Sequence, residues 1–290
     1  FCERDKFLQV ELIKARTADG VTLDGALRRP VDGMVNDYPF GVVIMHHGVG
    51  GNFYTANFFD DLADRFLAKG CAVIRANNRG HDLAYNAAPP HNRLGAAFEI
   101  LDDCRADWFA WLDSANEHGF ERACLWAHSL GAVKNIYFLA REKDSRISHA
   151  LASSPPCFSP STFLARANGY LFETAMQEAK RLEDNGRTDI IFPIEVPTVA
   201  MMTAGTFFDK YGADERYNIL NLLPDIETPL FLTLGGLEGV QTDHPSAFAF
   251  EGMADRLSEL AEGKNNTTFK LIEDADHFYR GQSESLWLAA

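Results

Sequence analysis

Short apolar runs alternate with longer amphipathic stretches along most of this chain, and that rhythm restricts the fold more than any other feature. The run Gly41-Val-Val-Ile-Met-His46 has no polar side chain until its end, as a strand buried on both faces requires. Residues 71–76, 123–127, 147–153, 229–234 and 267–272 read as strands of similar length. Between them, apolar residues recur at helical spacing over 56–69 (closed by Gly70), 94–115, 130–141 and 246–262. A short terminal helix is expected over 283–288. Two further strands, 7–15 and 21–29, flank an Asp19-Gly20 turn near the start. Parallel strands need long crossover connections, and helices normally supply them. The rhythm therefore predicts an α/β fold with a mostly parallel central sheet and helices on both faces.

The rhythm breaks at Ser154-Pro-Pro156 and resumes near residue 224. Residues 157–223 are helical in pattern, otherwise irregular, and rich in Phe, Leu and Met. We expect a core made of 1–156 and 224–290, with 157–223 inserted as a helical cap, or lid, over the carboxyl ends of the strands. Open α/β sheets bind their ligands at that edge. The 290 residues, 46% hydrophobic and 23% charged, suffice for a core that can enclose a dry site.

Charge and cysteine content exclude several function classes. A formal net charge of −14 repels nucleic-acid phosphate and anionic membranes, and otherwise favours solubility. No run of about 18 apolar residues occurs, so no membrane span is expected. The five cysteines form no CxxC pair, which argues against zinc and against a disulfide framework. They fit a reducing, cytoplasmic compartment. Phe1 in place of a methionine leads us to expect a chain trimmed at its start.

Within this frame, Leu125-Trp-Ala-His-Ser129-Leu-Gly131 joins a strand to a helix. A turn that sharp needs small residues two places before and after its centre, here Ala127 and Gly131. Ser129 at its centre is the candidate nucleophile, exposed at the sheet edge; the competing reading is a helix N-cap. A serine hydroxyl needs a neighbouring base, and histidine is the usual one. Of nine histidines, His277 stands in the loop after the last strand, at the required edge. His149 falls inside a strand run and His244 precedes Pro245 at a helix start, so both are weaker candidates. The acid that orients the base should follow a strand before His277. Glu238, four residues beyond the strand 229–234, is favoured by position, and Asp243 in the same loop is the alternative.

A developing oxyanion needs N–H donors. Leu130, next to the nucleophile, offers one. The loop His46-His-Gly-Val-Gly-Gly-Asn52 offers another, with Val49 the expected donor. No Lys-Ser or Lys-Thr follows those glycines and GxGxxG is absent, so a phosphate loop is disfavoured. His46 and His47 have no metal-ligand spacing around them and are expected to brace the loop.

These segments resemble the α/β-hydrolase superfamily. Residues 41–52 look like its oxyanion-hole strand and loop, and Ala76-Asn-Asn-Arg-Gly-His-Asp82 like its Arg-Gly-His turn. Residues 127–131 look like its nucleophile elbow, with Ala127 where glycine is usual. Asp276-His277 looks like its histidine loop, and Glu238 would stand where aspartate is commoner. The resemblance implies the α/β-hydrolase fold over about 20–155 and 225–290 and a Ser-His-acid triad. It leaves the substrate open. Arg79 and Asp82 are expected to be structural.

The expected activity is hydrolysis of a carboxylic ester through an acyl-enzyme, with Ser129, His277 and Glu238 catalytic and no metal or organic cofactor. Thioester, amide or carbon–carbon hydrolysis would use the same parts. A binding protein on a disabled scaffold would lack a triad member, and none is missing. Phe158, Phe163, Phe172, Phe192, Phe207 and Phe208 in the insertion suggest a small-molecule ester substrate that is apolar or aromatic in part, or else form the insertion's own core.

Overall fold

The computed structural model describes residues 9–239 and 248–290. The start of the first expected strand, the acid candidate Asp243, and His244 to Ser246 at the start of the expected helix lie outside them. The strands are β1 (Glu11–Arg16), β2 (Thr22–Arg28), β3 (Val42–His46), β4 (Ala72–Ala76), a short hairpin of β5 (Tyr85–Asn86) and β6 (Arg93–Leu94), β7 (Ala123–His128), β8 (Ile147–Ser153), a second hairpin of β9 (Ile191–Ile194) and β10 (Ala200–Thr203), β11 (Leu230–Gly235) and β12 (Thr267–Ile272). Eight of them make the central sheet in the order β1-β2-β4-β3-β7-β8-β11-β12. β1 and β2 pair antiparallel, as do β2 and β4; every other pairing is parallel.

The sheet is covered on both faces, and the central strands show it residue by residue. In β3, Val42 and Ile44 face one apolar core while Val43 and Met45 face the other. Successive side chains of a strand point to opposite faces, so a strand covered twice needs an unbroken apolar run. On one face lie helices Cys104–Glu117, Leu130–Arg141 and Met253–Glu262, with Trp108, Trp111, Ile136 and Leu257 fully enclosed. On the other lie Phe58–Leu67 and Ser283–Ala289, which bury Phe59, Leu62 and Leu286. Each fully buried large apolar side chain contributes about 1.5–3 kcal/mol relative to exposure.

One helix differs from the sequence expectation. The pattern over 94–115 predicts a single long helix, but the α-helix begins at Cys104 after one 3₁₀ turn, Leu101–Asp103. Gly95 adopts φ +109°, which no helix tolerates, and its N–H donates to the Arg79 carbonyl oxygen. Tertiary contacts then hold the next residues: the Ala97 carbonyl oxygen accepts from the Thr203 N–H, and the Leu101 N–H donates to Asp209. The expected helix 246–262 likewise starts late among the described residues, at Met253.

Residues 157–223 hold helices Pro160–Leu164, Tyr170–Asp184, Ala204–Tyr211 and Ile219–Leu222. They also hold the β9–β10 hairpin, which the helical pattern did not announce. Phe163, Phe172, Phe192 and Phe207 are buried against one another, with neighbouring ring centroids 5.2–5.9 Å apart. Their apolar core is continuous with that of the sheet face below.

Candidate active site

Ser129 sits between the end of β7 and helix Leu130–Arg141 at φ +56°, ψ −126°. A non-glycine residue at that φ is strained, and the surroundings must impose it. Its N–H donates to the Ser153 carbonyl oxygen at 2.9 Å, which ties the turn to β8. Two glycines make the approach possible. A Cβ on Gly131 would stand 2.4 Å from the His47 carbonyl oxygen, and one on Gly48 would stand 2.9 Å from Ser129 Cβ.

The side chains of Ser129, His277 and Glu238 meet. His277 Nε2 is 2.9 Å from Ser129 Oγ, and His277 Nδ1 is 2.5 Å from Glu238 Oε1. An ionised carboxylate can only accept, so the Nδ1–H donates to Glu238 and Nε2 is free to accept from the serine hydroxyl. Glu238 is itself held: its Oε2 accepts from the Gly235 N–H at 2.7 Å and from Ser154 Oγ at 2.5 Å. Ser154 Oγ in turn contacts the buried Tyr279 hydroxyl at 2.9 Å. The Glu238 side chain is 3% exposed, whereas that of His277 is 24% exposed. His128 supports the histidine loop through Nε2, which donates to the His277 carbonyl oxygen at 2.7 Å. Burial holds His128 well below the usual histidine range, so it serves as a neutral prop.

The loop after β3 faces the same point. Val49 and Leu130 both line the cavity that opens beside Ser129 and His277. Among the described residues, neither of their N–H groups donates to another acceptor, and the Leu130 N–H lies at a helix N-terminus, where partial positive charge gathers. His47 braces this loop: Nδ1 donates to the Gly48 carbonyl oxygen at 2.7 Å, and Nε2 accepts from the Asn78 N–H at 3.3 Å. Burial pushes its pKa down to about 3. His46 stacks on Trp108 with centroids 3.7 Å apart and forms no hydrogen bond among the described residues.

The Arg-Gly-His turn is structural in geometry. Arg79 donates to Asp107 at 2.9 Å and to Asp19 at 2.8 Å, beneath the turn. Asp82 accepts from Asn52 Nδ2 at 2.9 Å and from the Tyr54 hydroxyl, which pins the segment that follows the glycine loop. His149 is half-buried and packs near Phe40. Cys71, Cys104, Cys124 and Cys157 are free and buried. Among the described residues no cluster of His, Cys, Asp or Glu could hold a metal, and no helix is long and apolar enough to cross a membrane.

The cavity measures about 80 Å³. Its walls are apolar, with Phe158, Met202, Tyr211 and Phe250 prominent. Of the six phenylalanines singled out in the sequence, only Phe158 reaches it. Lys210 also lines it, and sequence reasoning passed it over. Nothing in the run Ala204–Tyr211 distinguishes Lys210 from a solvated lysine, so the sequence carried no signal for it.

The arrangement can activate a hydroxyl for attack on a carbonyl beside two free N–H donors. Comparisons with known proteins bear on the fold. The chain superposes on the α/β hydrolase GrgF from Penicillium sp. sh18 with a TM-score of 0.67 at 17% identity, covering 97% of this chain and 96% of that one. Est1E from Butyrivibrio proteoclasticus, solved with ferulic acid bound, gives 0.64 at 15% identity, over 96% and 95% of the two chains. The Pyrococcus furiosus esterase PF2001 gives 0.60 at 16%, over 99% and 90%. No curated protein sequence matches the chain. Residues 37–206 match the Hydrolase_4 family, described as serine aminopeptidase, S33. That match takes in the glycine loop, the Arg-Gly-His turn and the elbow, more than half of the sequence, and on this ground the chain belongs to the Hydrolase_4 family of α/β hydrolases.

Proposed function

We propose that the protein hydrolyses carboxylic esters through Ser129, His277 and Glu238. The observation that carries this reading is the unbroken hydrogen-bonded chain from Glu238 through His277 to Ser129, at 2.5 and 2.9 Å, opening on an apolar cavity. In the first step Ser129 Oγ attacks the carbonyl carbon while His277 Nε2 takes its proton. The Val49 and Leu130 N–H groups receive the negative charge that forms on the carbonyl oxygen; one such donor contributes about 3–4 kcal/mol to the transition state. Glu238 stabilises the imidazolium, which then protonates the departing alcohol. Water deprotonated by His277 attacks the acyl-serine, and the acid leaves.

Residues 157–223 act in this proposal as the cap of a core formed by 1–156 and 224–290. Phe158, Pro197, Met202, Lys210 and Tyr211 from that segment line the cavity that Ser129 enters, which supports the assignment. A cavity of about 80 Å³, against the roughly 300 Å³ or more of a drug-sized site, favours a short acyl group. Release of N-terminal amino acids is a poorer fit, because it requires an anion to hold a free ammonium. No acidic side chain stands among the described residues that line the cavity, whereas the basic Lys210 does.

A fluorophosphonate probe tests the nucleophile. Labelling of the wild type and its loss in Ser129→Ala are expected; an unlabelled wild type beside a reactive control hydrolase would sink the enzymatic reading. A panel of p-nitrophenyl esters of increasing acyl length, with thioester and amide analogues, then identifies the bond. Faster turnover of the thioester or amide series would replace the ester assignment.

A further inference from the structure

A buried lysine with no hydrogen-bond partner among the described residues lies against the proposed acyl site. Lys134, in helix Leu130–Arg141, donates from Nζ to Glu99 Oε1 and to Asn78 Oδ1, the latter at 2.9 Å. Lys210, in helix Ala204–Tyr211, places Nζ 3.4 Å from the other Glu99 oxygen, Oε2. All three ionisable side chains are 1% exposed. The Lys210–Glu99 contact is loose, and Lys210 Nζ makes no hydrogen bond among the described residues. One carboxylate thus stands between two buried ammonium groups. Two further carboxylates lie nearby, but neither bonds Lys210 Nζ. Asp107 accepts from Arg79, and Asp209 accepts from the Leu101 N–H and the Tyr217 hydroxyl.

A buried ammonium with half a partner is costly, and burial accordingly pushes Lys210 below its ordinary value. The same side chain lines the cavity that holds Ser129, Leu130 and His277. An anionic group arriving in that cavity would supply the hydrogen-bond acceptor that Lys210 Nζ lacks.

We propose that Lys210 recognises a carboxylate carried on the acyl part of the substrate, so that the preferred substrates are monoesters of short dicarboxylic acids. The inference rests on the ester-hydrolase reading and narrows it. The acyl half stays bound to Ser129 until water arrives, which suits an enclosed cavity. The alcohol half must leave with the proton from His277, the most exposed of the three proposed catalytic side chains. Overall, the acyl–oxygen bond of the monoester is replaced by a bond to the oxygen of water. The alcohol departs, and a second carboxylate forms. The net charge of −14 opposes the approach of an anion, so a preference for one must come from a local site. A buried contact is little screened by salt.

Monoethyl succinate and ethyl succinamate have the same length and shape and differ in a carboxylate against a neutral amide. In a pH-stat assay the wild type should show a kcat/KM roughly tenfold or more higher for the monoester, as expected of a charge-assisted hydrogen bond in a buried site. In Lys210→Met that ratio should fall to about one, with circular dichroism reporting whether the variant folds. A second measurement leaves Lys210 untouched: in Ser129→Ala, which cannot turn over, monoethyl succinate should raise Tm more than ethyl succinamate at equal concentration. A wild-type ratio of one or less, a ratio that survives in folded Lys210→Met, or equal Tm shifts would each overturn the proposal. If ethyl succinamate is hydrolysed through Ser129 without any preference for the monoester, this inference alone fails. If no ester of either kind is hydrolysed, the ester-hydrolase reading fails and takes the inference with it.

Discussion

Replacing Gly131 by alanine tests whether the elbow and the glycine loop form one device. The added Cβ would meet the His47 carbonyl oxygen at 2.4 Å and the His46 carbonyl oxygen at 3.1 Å. Ordinary contact begins at 3.4 Å, so the first helical turn and the loop must part by about 1 Å. Both neighbours are backbone, and no rotamer change can absorb the clash. Forcing a methyl group into such a site costs about 1–3 kcal/mol. Alanine in place of glycine in a helix returns up to about 1 kcal/mol. The net loss, no more than about 3 kcal/mol, corresponds to a fall in Tm of at most roughly 9 °C for a chain of this size. Activity should suffer far more. The loop carries the Val49 N–H and the helix carries the Leu130 N–H, and a displacement of about 1 Å between reacting groups costs on the order of 10²-fold in rate. Ester hydrolysis and thermal unfolding measured on one preparation separate the two effects. A Gly131→Ala protein that keeps wild-type kcat/KM would refute the claim that this contact sets the geometry of both donors.

Three further outcomes are expected. Glu238→Gln can offer His277 Nδ1 an amide N–H and so stabilise the wrong tautomer; kcat should drop by about 10⁴-fold, while Asp243→Asn should leave it near wild type, and the reverse pattern would move the acid to Asp243. Arg79→Ala strands the fully buried Asp107 carboxylate, which should cost about 3–5 kcal/mol and show as a large fall in Tm, with labelling of Ser129 in the surviving folded fraction; an unchanged Tm would contradict a structural role. Burial holds the pKa values of His46, His47 and His128 below the usual histidine value of 6.5, with His47 near 3. Below pH 6.5 the unfolded chain therefore binds protons that the folded chain refuses, and stability is lost as pH falls through that window by up to about 1.4 kcal/mol per histidine per pH unit; a Tm that stays flat between pH 7 and 5 would argue against neutral buried rings.

Much of this architecture could be read locally. An apolar strand covered on both faces is continuous in sequence, so residues 42–46 and 123–128 announced themselves, as did the elbow between a strand and a helix. Pattern failed where a tertiary contact overrode it. Residues 94–103 carry helical spacing, yet the positive φ of Gly95 and the pairing of Ala97 with Thr203 keep them out of the helix. The β9–β10 hairpin escaped notice because two four-residue runs are too short to show a period.

The sequence by itself determined the alternation of the central strands with the helices that cover them and pointed to Ser129, because both depend on residues adjacent in the chain. It could name His277 by its place after the last strand, but between Glu238 and Asp243 it had only position to judge by. Only the tertiary structure decided that Glu238 lies 2.5 Å from His277 Nδ1, and that Glu99, Lys134 and Lys210 converge beside the cavity. Hydrogen bonds and buried charges act over a few ångströms of space, and chain distance carries no record of which groups the fold will bring that close.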